Sequence, residues 1–334
     1  MNGKICILLA LLALPAAARA DEDLPPGVPA AIKDEVRRTY RVAHVGSRCY
    51  LASTVGVVVA DCRDPAKLRY LGGLSLPDSV NEIVLAGRHL AAAIGPSGVV
   101  LAEPGDRPRR VGGLVLSGAA TGLAAAAGNK LLVSSGSSGL HLLDISNPAA
   151  PRNLDHWETS GYARTVRVSG DLAALADGDE GVHLFRLEGE RLRLLASFRP
   201  RSAQAHAFDL AFSGSLLLVA AGPAGLLVFD IGKPERPRPL AALRMRDAAR
   251  GVSVQGRRAA VADGTAGVAL VDLSNPAAPR ETGRYKPERS ANRVLLEGEL
   301  AYVANDYDGL LILRAPKSGD PAPVGSLPSA KKKK

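Results

Sequence analysis

Apolar residues in this chain come in short runs of four to six, each closed by Gly, Pro, Asn or Asp. The stretch from Arg250 to Tyr285 is typical. It reads Arg250-Gly-Val-Ser-Val-Gln-Gly256, then Ala259-Ala-Val-Ala-Asp263, a Gly264-Thr-Ala-Gly267 turn, Val268-Ala-Leu-Val-Asp272, a Pro-bounded link, and Glu281-Thr-Gly-Arg-Tyr285. Each run has the length and bounding residues of a strand, and none is long enough for a packed helix. The pattern predicts four consecutive antiparallel strands.

That unit recurs. Gly56, Gly98, Gly139, Gly181, Gly225, Gly267 and Gly309 are spaced by 42, 41, 42, 44, 42 and 42 residues, and Gly46, Gly87, Gly128, Gly170, Gly214, Gly256 and Gly298 keep the same beat. A four-stranded unit repeating every 40 to 45 residues is the signature of a β-propeller blade. Neighbouring blades cover both faces of such a sheet, which explains runs that are apolar throughout, as in Leu216-Leu-Leu-Val219. The predicted fold is all-β, a seven-bladed β-propeller of four-stranded antiparallel blades over residues 39–327. Pro321 lies twelve residues after Gly309, as Pro279 does after Gly267, so residues 324–327 supply the last strand of blade seven and the ring borrows none.

The link after the third strand reads Asp144-Ile-Ser-Asn-Pro148-Ala-Ala-Pro151 in blade three, Asp230-Ile-Gly-Lys-Pro234-Glu-Arg-Pro237 in blade five and Asp272-Leu-Ser-Asn-Pro276-Ala-Ala-Pro279 in blade six. Here the chain resembles the LVIVD-repeat family of extracellular propeller proteins. The match is partial in blades one and two and degraded in blade four, where Arg186-Leu-Glu-Gly-Glu stands in its place. The resemblance implies fold and exported location, and no common catalytic activity.

Composition bears on address. Lys4, an apolar stretch from Ile5 to about Ala18, and the small-x-small site Ala18-Arg19-Ala20 form a secretory signal peptide over residues 1–20. The mature chain is expected to begin at Asp21 and to be exported to the periplasm, the cell surface or the medium. No later run reaches the ~20 apolar residues of a membrane-spanning helix. Residues 21–38 form an N-terminal extension, an edge strand or a short helix, and residues 328–334 a basic tail. The formal charge of +9 includes six residues of the leader and tail, Lys4, Arg19 and Lys331 to Lys334, so the body is mildly basic and no nucleic-acid partner is expected. After cleavage only Cys49 and Cys62 remain, flanking one hairpin. A structural disulfide is possible in an oxidising compartment, whereas a one-residue slip would put the sulfurs on opposite faces.

Chemistry is sparse. The acidic residues after the third strands, Asp61, Glu103, Asp144, Asp230 and Asp272, belong to different blades and cannot converge on one ion, so hydrogen bonding to their own turns is expected. Asp177, Asp263, Asn305 and Ser53 precede the turn between second and third strands and read as turn formers. The clusters Asp177-Gly-Asp179-Glu180 and Asn305-Asp306-Tyr307-Asp308 lack the spacing of a calcium loop, and the six histidines form no ligand pair. No metal or cofactor is called, and there is no nucleophile elbow or phosphate loop.

The innermost strands offer more. Six residues before the second glycine marker stand Tyr40, Asn81, Gly122, Arg164, Phe208, Arg250 and Asn292, followed by Arg41, Glu82, Asp209 and Arg293 in four blades. The next position is apolar in every blade: Val42, Ile83, Ala124, Val166, Leu210, Val252 and Val294. This predicts a polar channel mouth above a packed wall. Tyr40, Asn81, Arg164, Phe208, Arg250, Asn292 and Arg293 are the candidate binding residues, of types found in binding hot spots, or else solvated loop ends. Trp157 and Tyr162 mark a nearby corner as partner anchor or core filling. The function expected is a non-enzymatic, monomeric scaffold for an envelope or extracellular protein or glycan. The alternative is a channel-sited hydrolase or lyase, for which only Glu82 and Asp209 offer carboxylates.

Overall fold

The computed structural model describes residues 39–200, 204–288, 290–305 and 309–327. The expected signal peptide, the extension 21–38, the basic tail and Asp306-Tyr307-Asp308 lie outside the described residues. The described residues form twenty-eight strands and no helix, so no helix among them is long and apolar enough to cross a membrane.

The strands group into seven sheets of four, each built from consecutive strands in chain order. Blade one comprises Thr39–Val45, Arg48–Ser53, Gly56–Asp61 and Arg69–Ser75; the other blades occupy residues 82–114, 122–157, 165–198, 209–243, 251–285 and 291–326. Seven apolar clusters hold the ring, one at each interface between adjacent blades. The second strands explain the tight fit near the axis, because their residues are buried on both faces and are often small, as in Ala91-Ala92-Ala93 and Ala259-Ala260. Small residues suit the taper of a wedge. A register shift between third and fourth strands recurs in all seven blades, and such bulges increase the twist of the outer strand.

Outer strands meet the next blade at glycines. A Cβ on Gly112 would lie 2.0 Å from the Pro148 carbonyl oxygen, in the Asp-Ile-Ser-Asn-Pro turn of blade three, so only glycine admits this contact. The seam between blades seven and one uses the same device, with Gly325 against the Pro65 carbonyl. There, Leu51, Val58 and Leu68 of blade one pack on Tyr302, Leu310, Ile312 and Leu327, and His44 stacks on Tyr302 at 5.0 Å. Among the described residues no strand is exchanged at the seam. Residues 322–326 form the outer strand of blade seven, the strand expected over residues 324–327.

Cys49 and Cys62 are joined by a disulfide, their Cα atoms 5.9 Å apart. Cys49 pairs across the sheet with Ala60, while Cys62 lies just past the third strand and donates its N–H to the Ser47 carbonyl at 2.8 Å. The bridge sits within the apolar cluster of the seam.

Candidate functional site

The inner strands carry three tiers around the axis. The upper tier holds the candidate ring, and its residues lie half-buried, reaching from one blade to the next instead of standing free in solvent. Asn81 Nδ2 donates to the Ala120 carbonyl of the following blade at 2.9 Å. Arg250 Nη1 donates to Asn292 Oδ1 at 2.9 Å, and Arg293 Nη1 donates to the carbonyls of Arg250 and Asn292. Tyr40 packs on the cluster between blades one and two. In blade three the register differs from the sequence expectation. Asn129, with φ of 54°, lengthens the first turn by one residue, so the ring position there is Thr121, whose hydroxyl donates to the Ala163 carbonyl at 2.6 Å, and Gly122 drops one tier.

Arg164 has the most distinctive surroundings in this tier. Its guanidinium lies 5.5 Å from the ring centroid of Tyr162 and 4.8 Å from that of Phe208, and its buried Nε has no hydrogen-bond partner. Tyr162 is 46% exposed. Gly136, Gly178 and Gly222, all at positive φ, bring the turns between second and third strands close beneath this group; a Cβ on Gly222 would strike the Phe208 ring at 2.8 Å. Trp157 takes the other role considered for the pair, lying between blades three and four against His183 and Phe185.

The middle tier is an ion network that spans the channel. Arg41 of blade one pairs with Glu82 at 3.1 Å and with Asp209, on blade five, at 3.2 Å; it also donates to Thr165 Oγ1 at 3.2 Å. Arg167 reaches the same two carboxylates at 3.2 and 2.9 Å. Asp209 further accepts from the backbone N–H groups of Val252 and Leu210. Burial opposes ionisation of Asp209, yet Arg41, Arg167 and Arg293 outweigh it and hold the carboxyl below the usual range. Arg293 completes the layer less well. Its buried Nε lies 3.7 Å from Asp209 Oδ2 and makes no hydrogen bond, and burial with the like charge of Arg41 pushes it down to about 9 against the attraction of Asp209 and Glu82. The layer holds three guanidiniums and two carboxylates. Glu82 and Asp209 are thus already engaged by arginines, which removes the free general base that a channel-sited hydrolase or lyase would draw from them.

Arg167 was not among the candidates. Its signal was nonetheless present: it stands two residues further along its strand than Arg41 or Asp209 do, where the other blades carry only Ala43, Val84, Ala124, Ala211, Ser253 and Leu295.

Below this layer the wall is not packed, contrary to the sequence expectation. A cavity of about 570 Å³ runs from Arg41, Glu82, Arg167 and Arg293 down to Val45 and Ser169. At the level of Arg167 the other six blades contribute only Ala43, Val84, Ala124, Ala211, Ser253 and Leu295, which leave that space. Of the six histidines only His44 lines it, paired with Glu297 at 2.8 Å.

Elsewhere the acidic residues serve the frame. Asp61, Asp144, Asp230 and Asp272 each accept from the backbone N–H two residues on, at 2.8 to 3.1 Å, and three of them pair with the arginine eight residues on. Asp177 and Asp263 are fully buried and do more than form turns. Asp263 accepts from the N–H groups of Arg246 and Asp247 and from Arg284, while Asp177 holds His183, itself bonded to Ser197. Among the described residues no group of three or more metal-ligating side chains converges.

These features define a seven-bladed β-propeller with an ion-plugged channel. The LVIVD repeat model matches residues 117–156, 160–183, 247–286 and 288–313, which cover blades three and six and parts of four and seven. The chain thus carries LVIVD repeats between residues 117 and 313. Among solved structures it is similar to the computationally designed Ika8 protein (13% identity, TM-score 0.63, covering 87% of this chain and 95% of that one). Sqt1 of Saccharomyces cerevisiae is comparable (8%, 0.67, 86% and 85%), as is U3-55K (13%, 0.65, 80% and 91%). At such identities the likeness shows the fold alone. No curated protein matches the sequence.

Proposed function

We propose that this protein is an exported, non-enzymatic scaffold whose upper face captures an envelope or extracellular protein, or a glycan. The observation that carries the reading is the sandwich of Arg164 between Tyr162 and Phe208, which joins blades four and five and the linker before blade four. Aromatic and arginine side chains held rigid at low entropic cost are the usual anchors of binding surfaces. A stiff ring presents many short loops on one face. Export rests on the N-terminal segment in the sequence, and a disulfide suits an oxidising compartment.

The test is affinity capture with residues 21–334 from envelope and secreted extracts of the native organism, alongside a glycan array, using wild type and Tyr162→Ala. A ligand retained by wild type and lost by the folded variant supports the reading. Capture unaffected by Tyr162→Ala, or no ligand at all, rejects the upper face as the site.

A further inference from the structure

The lower channel combines three properties that the framework alone does not require. Its upper end carries a net charge of one: three guanidiniums stand against two carboxylates, and Arg167 and Arg293 keep 25% and 21% of their side-chain surface exposed. Most of its lining residues are apolar, such as Ala43, Val84, Ala125, Ala211 and Leu295, and the polar exceptions include Ser169 and Ser253. One wall residue, Leu85, is among the few large apolar side chains left substantially exposed, at 38%. An apolar shaft ending in an under-neutralised guanidinium layer is complementary to a molecule with one anionic head and an aliphatic body.

We propose that the lower channel binds an aliphatic monocarboxylate of medium length, its head on Arg167 and Arg293 and its tail along the wall toward Leu85. The carboxylate supplies the missing negative charge and an acceptor for Arg293, and the tail removes apolar wall from water. The volume of about 570 Å³ lies within the usual range of small-molecule sites. This site is separated from the upper face by the ion layer, so it stands or falls independently of the scaffold reading.

The experiment is calorimetric titration of residues 21–334 with decanoate, with methyl decanoate and acetate as probes lacking the charge and the tail. Two variants accompany it. Arg293→Gln leaves two guanidiniums against two carboxylates, and Ala43→Trp fills the shaft, with Ala125→Leu as the milder substitute if the tryptophan variant does not fold. Decanoate is expected to bind at one site, with methyl decanoate, acetate and Arg293→Gln each weaker by about tenfold or more, and with binding lost in the filled variant. No binding of decanoate to wild type overturns the proposal. So does equal binding to wild type and both variants, which places the fatty acid on the outer surface, and acetate binding as tightly as decanoate removes the role assigned to the wall.

Discussion

The upper and lower halves of the seven inner strands come from the same repeat, yet one is stitched shut and the other is hollow. Above, Asn81, Thr121, Arg164 and Arg250 each reach the next blade, and Arg41, Arg167, Glu82 and Asp209 close the axis. Below, a cavity of about 570 Å³ separates the side chains across the axis, and contacts such as that of His44 with Glu297 join only neighbouring blades. The repeat's backbone sets the radius of the channel; whether that radius is filled depends on side-chain length and charge at a single tier.

The sharpest way to break this contrast is to remove its divider. Asp209→Ala leaves three guanidiniums facing one carboxylate, and is expected to cost about 3 to 5 kcal/mol, read as a fall in the urea unfolding midpoint. A loss below about 1 kcal/mol would show that the layer does not hold the upper half together.

Acid should attack the same point. Because Asp209 is held below the usual carboxylate range in the folded state, its contribution is fully present above about pH 4, the unfolded value, and is lost as pH falls toward the folded one. The melting temperature of wild type should therefore drop more steeply below about pH 4 than that of Asp209→Asn.

Arg164→Ala removes a stacked cation between two blades and should cost about 1 kcal/mol, with the far-ultraviolet dichroism unchanged; a loss comparable to Asp209→Ala would make the upper sandwich a structural keystone instead of a binding surface. The smallest effect is expected below. Ala43→Leu projects into empty volume and should change stability by less than about 1 kcal/mol, whereas a packed wall would lose about 1 to 3 kcal/mol.

Much of this was readable in advance. Strand lengths, glycine spacing and blade number follow from local runs and turn chemistry, both of which act over a few residues. Arg41, Glu82, Asp209 and Arg293 stood out as charges on strands destined for the axis, although the pairing of Arg41 with Asp209 spans 168 residues of sequence and depends on ring closure. The ring residue of blade three was misplaced because Asn129 adds one residue to a turn whose glycine still keeps time. The cavity was illegible for a different reason: no single residue specifies a void, which is the sum of seven side-chain volumes at one radius.

Because every blade is completed by consecutive strands, and the seam repeats the glycine-on-carbonyl contact found inside the ring, the architecture has no privileged first blade. A chain opened in the linker between blades one and two, with its original ends joined, would present the same interfaces in the same cyclic order. Such a permutant should reach the native ring, leaving connectivity free to vary while geometry stays fixed.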